Sequence, residues 1–166
     1  TQDPEITCPA DVVVEIDGTV TGGPATLVSS GPCGVTLEYT APVGTDNCDA
    51  ITELAGGQGS APNYYSYGGT YTETWLVTDA SGNTAECSFT ITVEDPVPPT
   101  ITCPDDITVS TGPGVCEAEV VYSTPLGGDN CPGWTITLTQ GIESGGTFPE
   151  GTTLVEYTIE DDMGNT

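Results

Sequence analysis

Three kinds of short stretch put oxygen ligands where turns are expected, and each kind occurs twice. TDNC at 45–48 is matched by GDNC at 128–131, and TDASGNT at 78–84 by EDDMGNT at 160–166. Asp3 and Asp95 each precede an ITCP stretch. One copy thus offers Asp3, Asp46, Asn47 and Asp79, the other Asp95, Asp129, Asn130 and Asp161. Calcium takes roughly six to eight oxygen ligands in flexible geometry. The chain has no Lys, Arg or His to compete for its carboxylates. In a β-sandwich of this strand order, the loop before the third strand and the hairpin before the last lie at the end where the N-terminal linker enters. The expectation is a calcium site at each domain junction. The same residues also read as turn formers, because Asp and Asn side chains bond the local backbone. DxxGN by itself is a hairpin, and DNC by itself is a turn before a cysteine. Asn83 and Asn165 belong with the turns, and no EF-hand loop is present.

Other chemistry is sparse. Without His, Lys or Arg, acid–base and electrophilic catalysis rest on a carboxylate pair alone, as in glycoside hydrolysis. Scattered Asp and Glu on a β protein are far more often solvating, so no enzyme is expected. A net charge of −25 leaves nothing to neutralise phosphates, which argues against nucleic acid and against an anionic membrane surface. Side-chain ion pairs are impossible, so carboxylates must be solvated, hydrogen-bonded or bound to cations. A zinc site would need four cysteines, and CxxC pairs are absent. The seven cysteines, Cys8, Cys33, Cys48, Cys87, Cys103, Cys116 and Cys131, read instead as disulfide partners in an oxidising, extracellular compartment. Their connectivity stays open, since four cysteines allow three pairings. NYYSYGGTY at 63–71 offers Tyr64, Tyr65, Tyr67 and Tyr71 as an interface for glycan or protein. The run also reads as an edge or inter-subunit strip, or as core.

The elements that must position these groups are strands. Val, Ile, Thr and Tyr alternate at period two in DVVVEI, VTLEYT and SFTITVE. Strands are expected near 11–16, 35–40, 50–54, 70–78 and 84–94. Trp75, Val77, Phe89, Ile91 and Val93 face inward, as do Val155, Tyr157 and Ile159 in the second half. No stretch keeps a helical period, and none approaches the ~20 apolar residues of a membrane span.

The chain repeats itself. DPEITCPADVVVEI at 3–16 matches PPTITCPDDITVST at 98–111, and GPCGVTLEYTAPVGTDNC at 31–48 matches GVCEAEVVYSTPLGGDNC at 114–131. WLVTDASGNT at 75–84 matches YTIEDDMGNT at 157–166. The domains read as 1–95, with a Tyr-rich insertion at 56–71, and 96–166. The Pro-rich junction at 93–103 is a stiff linker. Roughly seven short strands per copy with turn signals between them are the pattern of an immunoglobulin-like sandwich. The expected fold is all-β, two tandem sandwiches, the second lacking its last strand in this chain. The counterpart of Cys87 falls past Thr166, so the chain is expected to be a window on a longer array. A neighbouring subunit donating that strand is the alternative.

ITCPADVVV, ITCPDDITV, TDNC, GDNC, FPEGTTLVEYT and DASGNTAECSFTITV together resemble the hyalin repeat (HYR) family, over nearly the whole chain. The first copy departs from the pattern where Tyr-rich sequence replaces FPEGTT. The resemblance implies secreted, tandem, immunoglobulin-like modules with adhesive or structural roles. The expectation is a structural protein that self-associates into a rod or head-to-tail filament stiffened by calcium. The alternative is a surface adhesin that binds glycan or protein through the Tyr-rich run.

Overall fold

The computed structural model describes residues 2–15 and 17–166, and these contain strands and loops but no helix. It divides into two compact units, Thr1–Pro96 and Val97–Thr166.

The first unit contains β1 (Val12–Glu15), β2 (Val20–Gly22), β3 (Ala25–Gly31), β4 (Gly34–Tyr39), β5 (Ala50–Gly56), β6 (Asn63–Ser66), β7 (Thr70–Asp79) and β8 (Thr84–Glu94). A five-stranded sheet runs β2-β1-β8-β7-β5 and a three-stranded sheet runs β3-β4-β6. All five expected strands form within a residue or two of their predicted ends; Ile16, at the end of the first, lies outside the described residues. The alternation that marks β7 and β8 in sequence is a consequence of their one buried face. Trp75, Val77, Phe89, Ile91 and Val93 are all buried on it. Opposite them, β4 and β6 supply Val35, Leu37, Tyr39 and Tyr65, and β1 adds Val12 and Val14. Tyr39 stands edge-on to Phe89 at 5.0 Å and to Trp75 at 6.5 Å. Strand β1 runs parallel to β8 while its other partner, β2, is antiparallel.

The second unit contains β9 (Thr100–Thr102), β10 (Glu117–Val120), β11 (Leu126–Gly128), β12 (Thr135–Gln140), β13 (Gly146–Pro149) and β14 (Glu156–Glu160). These form three two-stranded ladders, β10-β13, β11-β9 and β12-β14. Each ladder repeats one from the first unit. Val35 pairs with Tyr65 as Ala118 pairs with Phe148. Leu54 pairs with Trp75 as Leu138 pairs with Tyr157, and the Glu5–Thr45 bridge returns as Thr100–Gly128. Ile159, at the position of Val77, is the large apolar side chain buried here, while Val155 and Tyr157 are half-buried.

This register corrects one expectation. The Tyr-rich run at 56–71 is not an insertion: β6 is the counterpart of β13, and Tyr65 takes the place of Phe148. The extra length of the first copy lies between Cys8 and Cys33, where β2 and β3 form.

Glycine at 44 and 127, two positions before each acidic loop residue, lets that loop lie on the core. A Cβ at Gly44 would overlap the Val77 side chain; one at Gly127 would come within 2.9 Å of Ile159, Ile136 and Trp134. Gly44→Ala and Gly127→Ala are each expected to destabilise their own unit by about 1–3 kcal/mol, the usual cost of overpacking. Native-state hydrogen exchange reads the two units separately.

Candidate functional site

Of the acidic positions, Asp79 and Asp161 are the most fully engaged. Asp79 is buried at the end of β7. Its Oδ1 accepts the backbone N–H groups of Ser81 and Asn83 at 2.8 Å, and its Oδ2 accepts Asn83 Nδ2 at 2.7 Å. Asp161 does the same with Met163 and Asn165, distance for distance. Each closes the four-residue turn that follows it, the local-backbone role open to any Asp in a DxxGN stretch. Burial raises both pKa values, but the hydrogen bonds from the turn outweigh it and hold both carboxyls below the ordinary value of 3.8. The sign follows from linkage. A lowered folded-state pKa contributes stability that is complete above about pH 4 and is lost as pH falls through the lowered value. Asp79→Ala should therefore destabilise the first unit at pH 7, and the gap to the unmodified chain should narrow as acid titration passes through the lowered value.

Asp46 and Asp129 are different. Each accepts one backbone N–H through Oδ2, from Cys48 at 3.0 Å and from Cys131 at 2.9 Å. In each, the other oxygen, Oδ1, is buried without a hydrogen-bond partner. Both lie beside the entering chain, because Glu5 pairs with Thr45 and Thr100 with Gly128. A buried carboxyl oxygen lacking a donor is costly, and it recurs at the same position in both units. Carboxyl oxygens are ligands that a hard cation takes.

The remaining candidates are spread out. Asp3 and Asn47 are exposed, Asn130 is half-buried, and Asp95 is buried in the first unit just past β8. Among the described residues, no group of three Asp, Glu or Cys side chains converges.

Of the tyrosines, Tyr64 alone is largely exposed, at 57%, and its hydroxyl is tied to the carbonyl of Cys33. Tyr65 is core, and Tyr67 and Tyr71 pack against the core. The expected four-tyrosine surface is not formed, because the period-two pleat of β6 turns Tyr65 inward.

The loop before β6 carries a feature that the residue motifs did not single out. Glu73 on β7 is fully buried. Its carboxyl accepts the hydroxyls of Tyr39 at 2.9 Å and Tyr65 at 3.2 Å, and the backbone N–H groups of Gln58 and Gly59 at 2.9–3.0 Å. Gly57, with φ +102, brings the loop close enough that a Cβ would overlap the Glu73 carboxyl. Asn63 pins the other side by donating to the carbonyls of Gln58, Gly59 and Ala61. Burial first, and then Glu73, push both phenols well above the ordinary tyrosine range. The signal was parity: with Trp75 and Val77 inward, Glu73 must also point inward.

The cysteines are part of the same framework. Cys8 is joined to Cys87 of β8 across a separation of 79 residues. Cys48, Cys103 and Cys116 are exposed thiols, so the expected disulfides do not form at these three; Cys33 and Cys131 are half-buried. Cys103 stands at the position of Cys8, and no cysteine among the 166 residues occupies the position of Cys87 in the second copy.

Comparison with known proteins agrees with the repeated ladders. The HYR domain matches residues 1–93 and again 94–166. Hyalin of Lytechinus variegatus is 32% identical over 161 residues, covering 92% of this chain and 30% of that protein. Hyalin of Strongylocentrotus purpuratus is 32% identical over 150 residues, covering 89% and 12%. The sushi, von Willebrand factor type A, EGF and pentraxin domain-containing protein 1 of Rattus norvegicus is 31% identical over 165 residues, covering 98% and 4%. The chain therefore spans under a third of the length of these relatives. With two matches in tandem that together cover the chain, and each ladder of the second unit found in the first, the chain belongs to the HYR domain family.

Proposed function

We propose that this chain is part of an extracellular structural protein whose tandem acidic modules build a rod or a head-to-tail filament. In this reading calcium binds where the linker enters each module and stiffens it. The observation that carries it is the buried, donor-free Oδ1 of Asp46, repeated at Asp129. Asp46 in the first unit and Asp129 in the second would each hold an ion through the buried oxygen that has no donor. A bound divalent ion supplies the positive charge that the sequence lacks entirely. It would also ease the self-repulsion of a chain carrying −25.

Further support comes from the Cys8–Cys87 disulfide, which suits an oxidising compartment, and from the family's tandem arrangement. A heterologous contact from the end of one unit to the start of the next need not close, and open contacts generate fibres. The adhesin reading is left with one exposed tyrosine ring, that of Tyr64, and is not carried further.

Calcium titration tests the metal part. Calcium at about a hundred times its dissociation constant should add about 2.7 kcal/mol to the stability of each unit that binds it. Asp46→Asn should abolish the gain in the first unit and leave the second intact, and Asp129→Asn the reverse. A calorimetric titration with no heat and no gain in stability would reject calcium.

A further inference from the structure

The extra length of the first copy, between Cys8 and Cys33, ends in β3, the outer strand of the β3-β4-β6 sheet. One side of β3 pairs with β4, and the other has no partner strand among the described residues. An open edge presents a row of backbone donors and acceptors, a template for another strand. Charged side chains normally blunt such an edge. Here there are none: residues 18–37 hold not one of the 25 acidic side chains. The other edges of this unit suit a strand less well. β5 carries Glu53 and follows Asp49, both exposed, and β2 is three residues long. In β6 the N–H of Ser66 is taken by the hydroxyl of Tyr71 at 3.0 Å. β3 offers seven residues. Ala25 and Leu27 pack against the core, while Thr26, Ser29 and Ser30 are exposed. A bulge between Leu27 and Ser29 leaves Val28 outside the register with β4, and its side chain is 50% exposed.

We propose that the open edge of β3 pairs with β3 of a second copy of this chain. The charge distribution selects that occupant. Two chains of −25 repel wherever carboxylates meet, and neither has a cation to form an ion pair across a contact. They join best where both surfaces are uncharged, and β3 brings backbone hydrogen-bonding groups to such a surface. A cationic partner would instead be drawn to the acidic surfaces. Pairing of like with like is isologous, about a two-fold axis. An axis through Val28 sets the two strands antiparallel, with Val28 facing its own counterpart and Thr26 facing the partner's Ser30. Facing hydroxyls and β-branched side chains are favourable cross-strand pairs. The two three-stranded sheets then become one of six strands. The contact runs along the side of a unit, so it is separate from the head-to-tail contact and does not rest on calcium. A seven-residue strand makes a weak contact singly, and repetition along a filament strengthens it.

Analytical ultracentrifugation of the whole chain, with exposed thiols alkylated and calcium chelated, tests this apart from disulfides and metal. As protein concentration rises from about micromolar to about millimolar, the mass should climb from one chain toward two. Association should tighten at least about tenfold between about 0.01 M and about 0.5 M salt, as screening removes the repulsion between copies. Hydrogen exchange along β3 should slow with concentration, and exchange along β5 should not. Val28→Glu should weaken association by about tenfold or more, because like charges then face each other. An equimolar mixture of Val28→Glu and Val28→Lys chains should restore it. Unchanged exchange in β7 and β8 of each variant shows that the first unit is folded. A single chain at every concentration and salt would overturn the proposal and leave the edge to a different protein. So would association that Val28→Glu leaves intact, no recovery in the mixture, or exchange slowed along β5 or β12 in place of β3.

Discussion

Replacing Cys8 and Cys87 together with serine is expected to lower the stability of the first unit by about 4 kcal/mol, while leaving the second unchanged. The estimate follows from the 79-residue separation. Cross-linking a loop of that length removes chain entropy from the unfolded state in proportion to the logarithm of its length. A small domain has only about 5–15 kcal/mol in total, so the loss is a large share. The disulfide also joins the entering chain to β8, the strand that carries Phe89, Ile91 and Val93 into the core. Urea denaturation with and without reductant, with hydrogen exchange to assign the loss to a unit, measures it. A change below about 1 kcal/mol would mean that the unfolded first unit is already compact, so the entropic argument fails.

Glu73→Ala should cost a comparable amount, about 3–5 kcal/mol, because four donors built around one carboxyl lose their acceptor together. Glu73→Gln keeps the shape but turns an amide N–H₂ toward donors, and is expected to cost about 2–3 kcal/mol. Glu86 on the neighbouring strand is exposed, and Glu86→Ala should stay within about 0.5 kcal/mol. The second unit shows the apolar solution to the same position, with Val155, Tyr157 and Phe148 in place of Glu73, Trp75 and Tyr65. Glu73→Val combined with Tyr65→Phe should therefore be less damaging than the sum of the two, with a coupling of about 1 kcal/mol or more. Strict additivity would show that Tyr65 and Glu73 do not act as one network.

How far the fold could be read from residues depends on whether a pattern is local. Strands β7 and β8 carry ten and eleven residues of clean alternation, and DASGNT between them is a turn by composition, so that hairpin was legible. The Tyr-rich run was not. Tyr is equally at home in a core and on a surface, and only the ladder β4-β6, formed across thirty residues of sequence, shows which face Tyr65 takes. Glu73 was hidden for the opposite reason. A Glu in a strand reads as solvent-facing, and its partners at Gln58 and Gly59 come from a loop whose path no local rule sets. At the candidate site, the turn role of Asp79 and Asp161 and the linker-side position of the TDNC and GDNC loops follow from the motifs. That Asp46 and Asp129 keep one oxygen without a donor depends on packing against the glycine-lined loop, which spacing alone does not encode.

Electron microscopy of the purified protein in about millimolar calcium, the range of extracellular calcium modules, and again after chelation, asks whether the modules build a calcium-stiffened filament. Ordered fibres that loosen or fall apart on chelation are the predicted result. Fibres indifferent to chelation would keep the filament and remove calcium from it. Isolated particles of two units in both conditions would contradict the structural reading outright.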